Sequence, residues 1–200
     1  MRYIKVSVLI LCGLLAFAPQ ANALLINPTI CAEDDPDCMW SGPETGQATI
    51  NGLIAGIIYG ETGEYPVLQY KNDVDYEPDN ALLPLAGSYN TEYFNDPDDP
   101  EEATITWVPG TAFIDPAAPS WLLVKDGNHD PGWYLFSLQC LGWNGTDNLE
   151  LVNFWPGRGA ISHVAIYGSA MPVPEPASIM LVGAGLLGLA AFTRKRLLGH

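Results

Sequence analysis

The sequence predicts an all-β body, an antiparallel β-sandwich of the jelly-roll type, between an N-terminal signal helix and a single C-terminal transmembrane helix. Four β-rich runs follow one another late in the chain, separated by segments rich in Gly, Asn, Asp and Pro. No strand alternates with a helical pattern of about 10 to 15 residues. Both ends of the chain are apolar. We therefore divide it into residues 1–23, 24–172 and 173–200.

The first 23 residues have the order of a secretory signal peptide. Two basic residues precede an apolar stretch (6–18), and the small residues Ala21 and Ala23 form a cleavage site. No polar face can be drawn along the apolar stretch, which argues against a buried helix of the fold. We expect signal peptidase to cut between Ala23 and Leu24.

The segment between the two ends is strongly acidic. It holds only three basic residues, Lys71, Lys125 and Arg158, against 22 of the 23 Asp and Glu, which gives a net charge of −19. Nucleic acid and anionic lipid would be repelled, so neither is an expected ligand. All six Trp and eight of the nine Tyr also lie here, which is too aromatic a composition for a disordered linker. We expect one folded domain whose acidic surface keeps it soluble outside the cell.

Three cysteines remain after removal of the signal. Cys31 and Cys38 enclose a short acidic loop with a proline turn, and they can close as a local disulfide in an oxidising compartment. A bridge from either of them to Cys140 is the alternative. If Cys140 is left over, its apolar surroundings in the sequence favour a buried thiol. No CxxC, HxxxH or HExxH pattern supports a zinc site.

The first part of the body is interpreted as strands and turns. Residues 47–60 are apolar without helical spacing and are interrupted by three glycines, so we expect no helix there. Two β-rich runs follow at 88–94 and 103–108. An acidic, proline-bearing loop joins them, as in a hairpin.

The last part of the body has the clearest strand pattern. Its four β-rich runs lie at 120–127, 132–141, 147–155 and 159–168. Asp126-Gly127 and Asn144-Gly145 are strong signals for two-residue hairpin turns. In the last run, alternation places three side chains on one face and three on the other. The first set is His163, Ala165 and Tyr167, and the second is Ser162, Val164 and Ile166.

One candidate cation site follows the first of these runs. Asp126, Asn128 and Asp130 alternate as the first three ligands of an EF-hand loop do, and oxygen donors suit calcium. The glycine expected next is displaced by Pro131-Gly132, and no Glu closes the loop, so a β-turn explains the same residues. We favour the β-turn and expect no cofactor, with calcium at these three positions as the alternative.

A secreted hydrolase is the weaker functional alternative. His129 and His163 are the two imidazoles of the body, and His129 can join Asp126 or Asp130. His163 and Ser162 are strand neighbours that point to opposite faces, so they cannot form a dyad. No GxSxG motif occurs. We therefore expect the protein not to be an enzyme.

Four aromatic residues of the body allow two interpretations. They can form a stacking platform for sugars, or they can fill the core of a sandwich, which is the interpretation that we favour. They are Trp133, Tyr134, Trp143 and Trp155.

The tail combines a Pro-Glu-Pro motif, an apolar segment and a basic cluster. These are Pro174, Glu175 and Pro176, then residues 177–192, then Arg194, Lys195 and Arg196. The apolar segment would span about 24 Å as a helix, which is shorter than the roughly 30 Å hydrocarbon core of a bilayer. This length favours temporary rather than permanent anchoring in the membrane. The basic cluster would stay in the cytoplasm and leave the acidic body outside. A plain C-terminal anchor is the alternative.

This combination resembles the PEP-CTERM sorting signal of Gram-negative bacteria over residues 173 to about 197. The resemblance implies recognition by an exosortase, a membrane cysteine protease, with cleavage near the motif and transfer to the cell surface or extracellular matrix. Roughly residues 89–168 also resemble short secreted proteins that carry this tail, which implies no known chemistry.

Together these features predict a non-catalytic exported protein of the cell surface or extracellular matrix, associated with exopolysaccharide in a biofilm. The expected partners are signal peptidase and exosortase during export, the membrane through the C-terminal helix, and exopolysaccharide. A calcium-dependent carbohydrate-binding module is the alternative function.

Overall fold

The described part of the chain, in a computed structural model, consists mainly of β-strands. It comprises residues 22–31, 38–75, 78–94, 100–126, 129–156 and 161–172. These residues form eleven strands, one α-helix and one 3-10 helix. In chain order they are β1 (Ala23–Ile26), β2 (Met39–Gly42), α1 (Gln47–Thr62), β3 (Leu68–Asp73), the 3-10 helix (Pro78–Leu82), β4 (Tyr89–Phe94), β5 (Glu102–Trp107), β6 (Phe113–Ile114), β7 (Trp121–Lys125), β8 (Trp133–Ser137), β9 (Asn148–Leu151), β10 (His163–Tyr167) and β11 (Ala170–Met171).

Two larger sheets and one small sheet contain these strands. The order is β1-β9-β5-β4 in the four-stranded sheet and β2-β8-β7-β10-β3 in the five-stranded sheet, while β11 pairs with β6. Pairing among the described strands is antiparallel except between β1 and β9. The mainly β prediction is thus confirmed. The parallel pair departs from the antiparallel expectation because no hairpin joins these two strands and constrains their directions.

A hydrophobic core lies between the two larger sheets. The four-stranded sheet contributes Ile26, Ile105 and Leu149, and the five-stranded sheet contributes Leu122 and Phe136. Each of these side chains is at most 1% exposed. Full burial of a side chain of this size contributes about 1.5–3 kcal/mol, so the shared core holds the sheets together.

Helix α1 is the main departure from the sequence prediction. Residues 47–60 were expected to contain no helix, and this expectation is wrong, since α1 spans Gln47–Thr62. Ile50, Ile54 and Ile58 recur at every fourth position and are buried. This spacing places them on one side of a helix, where they pack against the outer face of the five-stranded sheet. The two faces of that sheet are therefore covered differently, one by strands and one by α1.

The glycines that argued against a helix lie on its solvent side. Gly52, Gly56 and Gly60 each follow a buried Ile by two positions, which is about 200° around the helix axis. A Cβ added at any of the three would meet no atom within 4 Å. Each exposed glycine costs about 1 kcal/mol of helix propensity, and burial of the isoleucines overrides this cost. The helix ends at Gly63, whose φ of 73° is left-handed and whose N–H donates to the carbonyl of Tyr59.

Strand β10 is buried on both of its faces. His163, Ala165 and Tyr167 lie on the α1 side of the strand. Val164 and Ile166 belong to the core between the two larger sheets. The predicted alternation is confirmed. Both faces are buried because α1 covers one of them and the four-stranded sheet covers the other.

The two predicted hairpin turns have different outcomes. Strands β7 and β8 pair across the segment that contains Asp126-Gly127, but their connection, residues 126–132, is longer than two residues. Asn144-Gly145 does form a turn, in which Asn144 Oδ1 accepts the N–H of Thr146 and Gly145 has a φ of 84°. That turn joins β8 and β9, which belong to different sheets, so the hairpin prediction is wrong there. The turn at Asn144-Gly145 was predicted correctly, but the strands on either side of it do not pair, because β9 belongs to the other sheet.

Candidate functional site

A cavity of about 430 Å³ lies between α1 and the outer face of the five-stranded sheet. We call it the α1 cleft. Its apolar floor comes from residues such as Ile54, Leu68 and Ala165. Six side chains with polar atoms also line it, namely Gln47, Asn51, Tyr65, Lys71, His163 and Tyr167. The cleft therefore combines an apolar base with hydrogen-bonding groups, as small-molecule sites do.

A row of ionisable side chains crosses the sheet at one end of the α1 cleft. Asp73, His163 and Lys125 lie directly opposite one another on β3, β10 and β7. Lys71, two positions before Asp73, is on the same face and places its Nζ 2.8 Å from Asp73 Oδ1. Asn80 Nδ2 donates to the other carboxylate oxygen at 2.5 Å. Strand register thus gathers two of the body's three basic residues around one histidine.

His163 is held in its neutral form. Burial is the main cause that lowers its pKa from 6.5 to about 3, and the charges of Lys71 and Lys125 act in the same direction. Asp73 opposes them, with its Oδ1 3.6 Å from His163 Nδ1. Since the imidazole is neutral near pH 7, this contact is not an ion pair. Within the described part of the chain, His163 Nε2 is buried and has no hydrogen-bond partner.

Lys125 is also buried, and its side chain is satisfied locally. Its Nζ donates to the backbone carbonyl of Asp126 at 3.0 Å. Burial lowers the pKa of this ammonium group, and the nearby Asp126 carboxylate partly opposes the shift. Lys125 acts on the α1 cleft mainly through its charge, which disfavours protonation of His163.

Two exposed tyrosines lie at the rim of the α1 cleft. Tyr65 lines the cleft and is 73% exposed, and Tyr59 is 48% exposed. Their ring centroids are 4.9 Å apart, with an angle of 32° between the ring planes. Ten of the 17 aromatic side chains in the described residues are buried, so this exposed pair forms a distinct aromatic surface beside a polar cavity.

A second cavity of about 570 Å³ lies near the loop between β7 and β8. Tyr134 and Trp155 contribute aromatic walls, and Asp130 and Asn153 contribute polar groups. Asn153 and Trp155 have left-handed φ values of 58° and 48°, which are unfavourable for residues other than glycine. Trp155 Nε1 donates to the carbonyl of Pro131 at 2.6 Å, so its polar atom is already satisfied.

The four aromatic residues considered as a sugar platform belong to the interior. Their exposed fractions are 3%, 8%, 4% and 6% for Trp133, Tyr134, Trp143 and Trp155 respectively. The favoured core interpretation is confirmed. A sugar can stack only on a ring face that is exposed to solvent, and these four rings are almost completely buried.

The candidate calcium ligands are only partly described. Asp126 is 2% exposed, and its carboxylate contacts Nδ1 of His129. Asp130 lines the second cavity, and Asn128 lies outside the described residues. Across the described ranges, no three or more His, Cys, Asp or Glu side chains come together in a way that would hold a metal ion. Calcium at this loop stays a prediction.

The fold brings together one pair of the groups considered for a hydrolase and keeps another pair apart. His129 joins Asp126, one of the two partners that the sequence allowed. His163 lines the α1 cleft, whereas the hydroxyl of Ser162 donates to the carbonyl of Lys125 at 3.0 Å. Ser162 and His163 thus have different surroundings, as expected for neighbouring strand residues that point to opposite faces.

The three cysteines differ in exposure. Cys38 is buried and Cys31 is half-buried, while residues 32–37 between them lie outside the described part. The Cys31–Cys38 disulfide therefore stays a prediction. Cys140 is exposed, which corrects the expectation of a buried thiol. The reason is that β8 ends at Ser137, so the apolar run continues into a turn rather than through the sheet.

The predicted processing sites lie at or beyond the edges of the described residues. Ala23 and Leu24 are the first two residues of β1, an edge strand, and Ile26 of the same strand is fully buried. Pro174, Glu175, Pro176, Arg194, Lys195 and Arg196 lie outside the described part, as does the predicted C-terminal helix. Among the helices that the structure does describe, none is both long and apolar enough to cross a bilayer.

Sequence reasoning did not identify the α1 cleft. The missed residues include Lys71, Asp73 and Tyr65, which stand far from His163 in the chain. The four-residue spacing of Ile50, Ile54 and Ile58 was the available signal, because it predicts a helix that must cover a sheet face. Nothing in the local sequence predicts which strand lies beside β10.

Comparison with known families places a sorting motif at the C-terminal end. Residues 172–196 match the PEP-CTERM protein-sorting motif, which confirms the resemblance inferred for this segment. No curated protein and no solved structure matches the chain. The match covers the tail and says nothing about the chemistry of the β-rich body.

Proposed function

We propose that this chain, whose C-terminal segment carries a PEP-CTERM protein-sorting motif, is a non-catalytic protein of the cell surface or extracellular matrix that associates with exopolysaccharide. The observation that carries the proposal is the match over residues 172–196. That motif implies export, processing by an exosortase and sorting to the cell surface. The polysaccharide association and the lack of catalysis are our inferences from the body.

The composition and the architecture of the body support a role outside the cell. A net charge of −19 between the terminal segments, from three basic and 22 acidic residues, keeps such a protein from associating with itself. The described strands form two sheets that share a core. We regard this body as a sandwich of the jelly-roll type to whose outer face a helix has been added.

The tail is proposed to act as a temporary membrane anchor. The apolar segment 177–192 precedes a basic cluster, Arg194, Lys195 and Arg196, which would remain in the cytoplasm. Cleavage near Pro174, Glu175 and Pro176 would then separate the acidic body from the membrane. The alternative, a permanent anchor, predicts that the basic cluster stays attached to the mature protein.

Intact-mass measurement of the protein from producing cells tests this proposal. The surface form should begin at Leu24 and should lack the residues beyond the Pro-Glu-Pro region. Deletion of the exosortase, or the Glu175→Ala variant, should leave the tail attached, whereas Ser169→Ala, an exposed position before the matched residues 172–196, serves as the control. A full-length chain in the cytosol with both ends intact would contradict the proposal.

A further inference from the structure

We propose that the α1 cleft binds a neutral, hydroxyl-rich ligand, namely sugar units of a polysaccharide. This inference rests on the proposed function, since it assigns a site and a ligand class to the polysaccharide association. The argument uses the unpartnered atom of His163, the charge balance of the cleft and the exposed tyrosine pair at its rim.

One residue of the cleft lining, His163, has a buried ring nitrogen, Nε2, that lacks a hydrogen-bond partner among the described residues. The residue is 4% exposed. An unsatisfied buried polar atom destabilises the folded protein, so a ligand that pairs with it offsets that cost. A hydroxyl group both donates and accepts, and therefore suits Nε2 in either imidazole tautomer.

The pKa of His163, which burial lowers to about 3, supports the same ligand class. At neutral pH the imidazole carries no charge, so it offers no attraction to an anion. A neutral hydroxyl is the partner that pairs with it without bringing an uncompensated charge into a buried place.

The charges around the cleft also favour a neutral ligand. Lys71 lines the cleft, and its ammonium group is paired with Asp73 at 2.8 Å. Lys125, whose charge also acts on His163, lies outside the cleft lining and close to the Asp126 carboxylate. Gln47 and Asn51 contribute amides, and their mutual hydrogen bond of 2.7 Å uses one polar atom of each. An anionic ligand would in addition be repelled by the net charge of the body. The polar groups of the cleft therefore match hydroxyls better than carboxylates or phosphates.

The tyrosine pair provides a surface for the apolar face of a sugar ring. Tyr65 is 73% exposed and belongs to the cleft lining, and Tyr59 packs against it with a centroid distance of 4.9 Å. Aromatic rings that solvent reaches beside a polar cavity are suited to ligands that have both C–H faces and hydroxyl edges. The cavity volume of about 430 Å³ lies within the range of roughly 300–1,000 Å³ for small-molecule sites.

The second cavity is a weaker candidate for the same ligand. Its aromatic residues, Tyr134 and Trp155, are only 8% and 6% exposed. Trp155 Nε1 already donates to Pro131. None of the buried polar atoms that lack a partner in the described residues belongs to its lining. Of these two cavities, the α1 cleft is the one that combines an exposed ring with an unsatisfied polar atom.

Calorimetric titration of the full chain with defined oligosaccharides tests the site. The protein is kept in a zwitterionic detergent without a sugar headgroup, and the probes are cellotetraose, maltotetraose and galactotetraose. Oligogalacturonate of the same length serves as the anionic comparison. We expect at least one neutral probe to bind, and the anionic probe to bind more weakly than the neutral one.

Two variants and one control locate the binding. Tyr65→Ala should weaken binding about three- to tenfold, and His163→Leu, which removes the hydrogen-bonding position, should weaken it by a similar factor. Phe94→Ala is the matched control, because Phe94 is also an exposed aromatic residue but lies in the other sheet. Tyr65 is mostly exposed, so its removal tests the site even where His163→Leu disturbs folding.

Each outcome supports or overturns the inference. Binding that weakens in Tyr65→Ala and persists in Phe94→Ala supports it. Absence of binding to all neutral probes overturns it, as does binding that Tyr65→Ala leaves unchanged or that Trp155→Phe removes instead. These results are independent of processing, since a chain that is cut and sorted but binds no sugar refutes the site and leaves the sorting proposal intact.

Discussion

The burial of His163 predicts that part of the protein's stability depends on pH in a defined direction. The pKa of its imidazole falls from 6.5 to about 3 in the folded protein. The charged groups that face it are Lys71 and Asp73 from β3 and Lys125 from β7, whereas α1 presents the uncharged Gln47 and Asn51 to the cleft. A proton on His163 would therefore enter a buried place beside two ammonium groups.

The sign follows from the order of the two pKa values. Between about pH 6.5 and 3 the unfolded chain binds a proton at this position and the folded protein does not. The free energy of unfolding therefore decreases as the pH falls through this window, by at most about 1.4 kcal/mol per pH unit from this one group. Above pH 6.5 the imidazole is neutral in both states, so its contribution is then complete and constant.

Urea unfolding of the full chain, followed by tryptophan fluorescence between pH 7 and 4.5, measures this effect. His163→Gln removes the titrating group, so the wild type should lose about 1 kcal/mol more per pH unit than the variant does. The many carboxylates titrate in both proteins, and their effect cancels in this difference. Ser162→Ala, at the same end of β10 and without a titrating group, should keep the wild-type slope. Equal slopes for the wild type and His163→Gln would refute the reasoning.

The remaining predictions concern α1 and the turn before β9, and urea unfolding tests both. Gly56→Ala, with open space around the added Cβ, should raise the free energy of unfolding by about 0.5–1 kcal/mol. Ile54→Ala, which removes a buried side chain, should lower it by about 2–5 kcal/mol. A loss of stability in Gly56→Ala would argue against an exposed helical face. Gly145→Ala should cost more than 1 kcal/mol, because its φ is 84° and its Cβ would meet the carbonyl oxygen of Ile114. Gly142→Ala, with a φ of 74° and no atom within 4 Å of its Cβ, isolates the backbone part of that cost. Equal losses at the two glycines would contradict the steric part.

The strands were predictable because their signal is local. In β10 the alternation of His163, Val164 and Ala165 indicated a strand and assigned its two faces, and both assignments agree with the structure. Helix α1 was missed because Gly52 and Gly56 have low helix propensity, which dominates a local interpretation. The helix forms because its isoleucine face is buried against a sheet whose strands come from distant parts of the chain.

The candidate site shows the same limit. The sequence placed His163 and Ser162 on opposite faces of a strand, but it gave no signal for the neighbours Asp73 and Lys125, which are far from His163 in the chain. Only strand order and register bring the three side chains into one row. The exposure of Tyr65 likewise depends on where the chain passes after α1, for which the local sequence gives no signal.

The sequence by itself determined the sorting tail and the acidic character of the body, and it predicted the signal peptide at the other end. These properties do not depend on the fold, because peptidases and membranes recognise short contiguous segments and the net charge is a sum over residues. The tertiary structure alone decided that a glycine-rich segment becomes a helix, that β10 is covered on both faces, and that an unsatisfied histidine lines a cleft with exposed tyrosines at its rim. The physical reason is that register, burial and cavity shape arise from contacts between residues far apart in the chain, and local patterns do not encode such contacts.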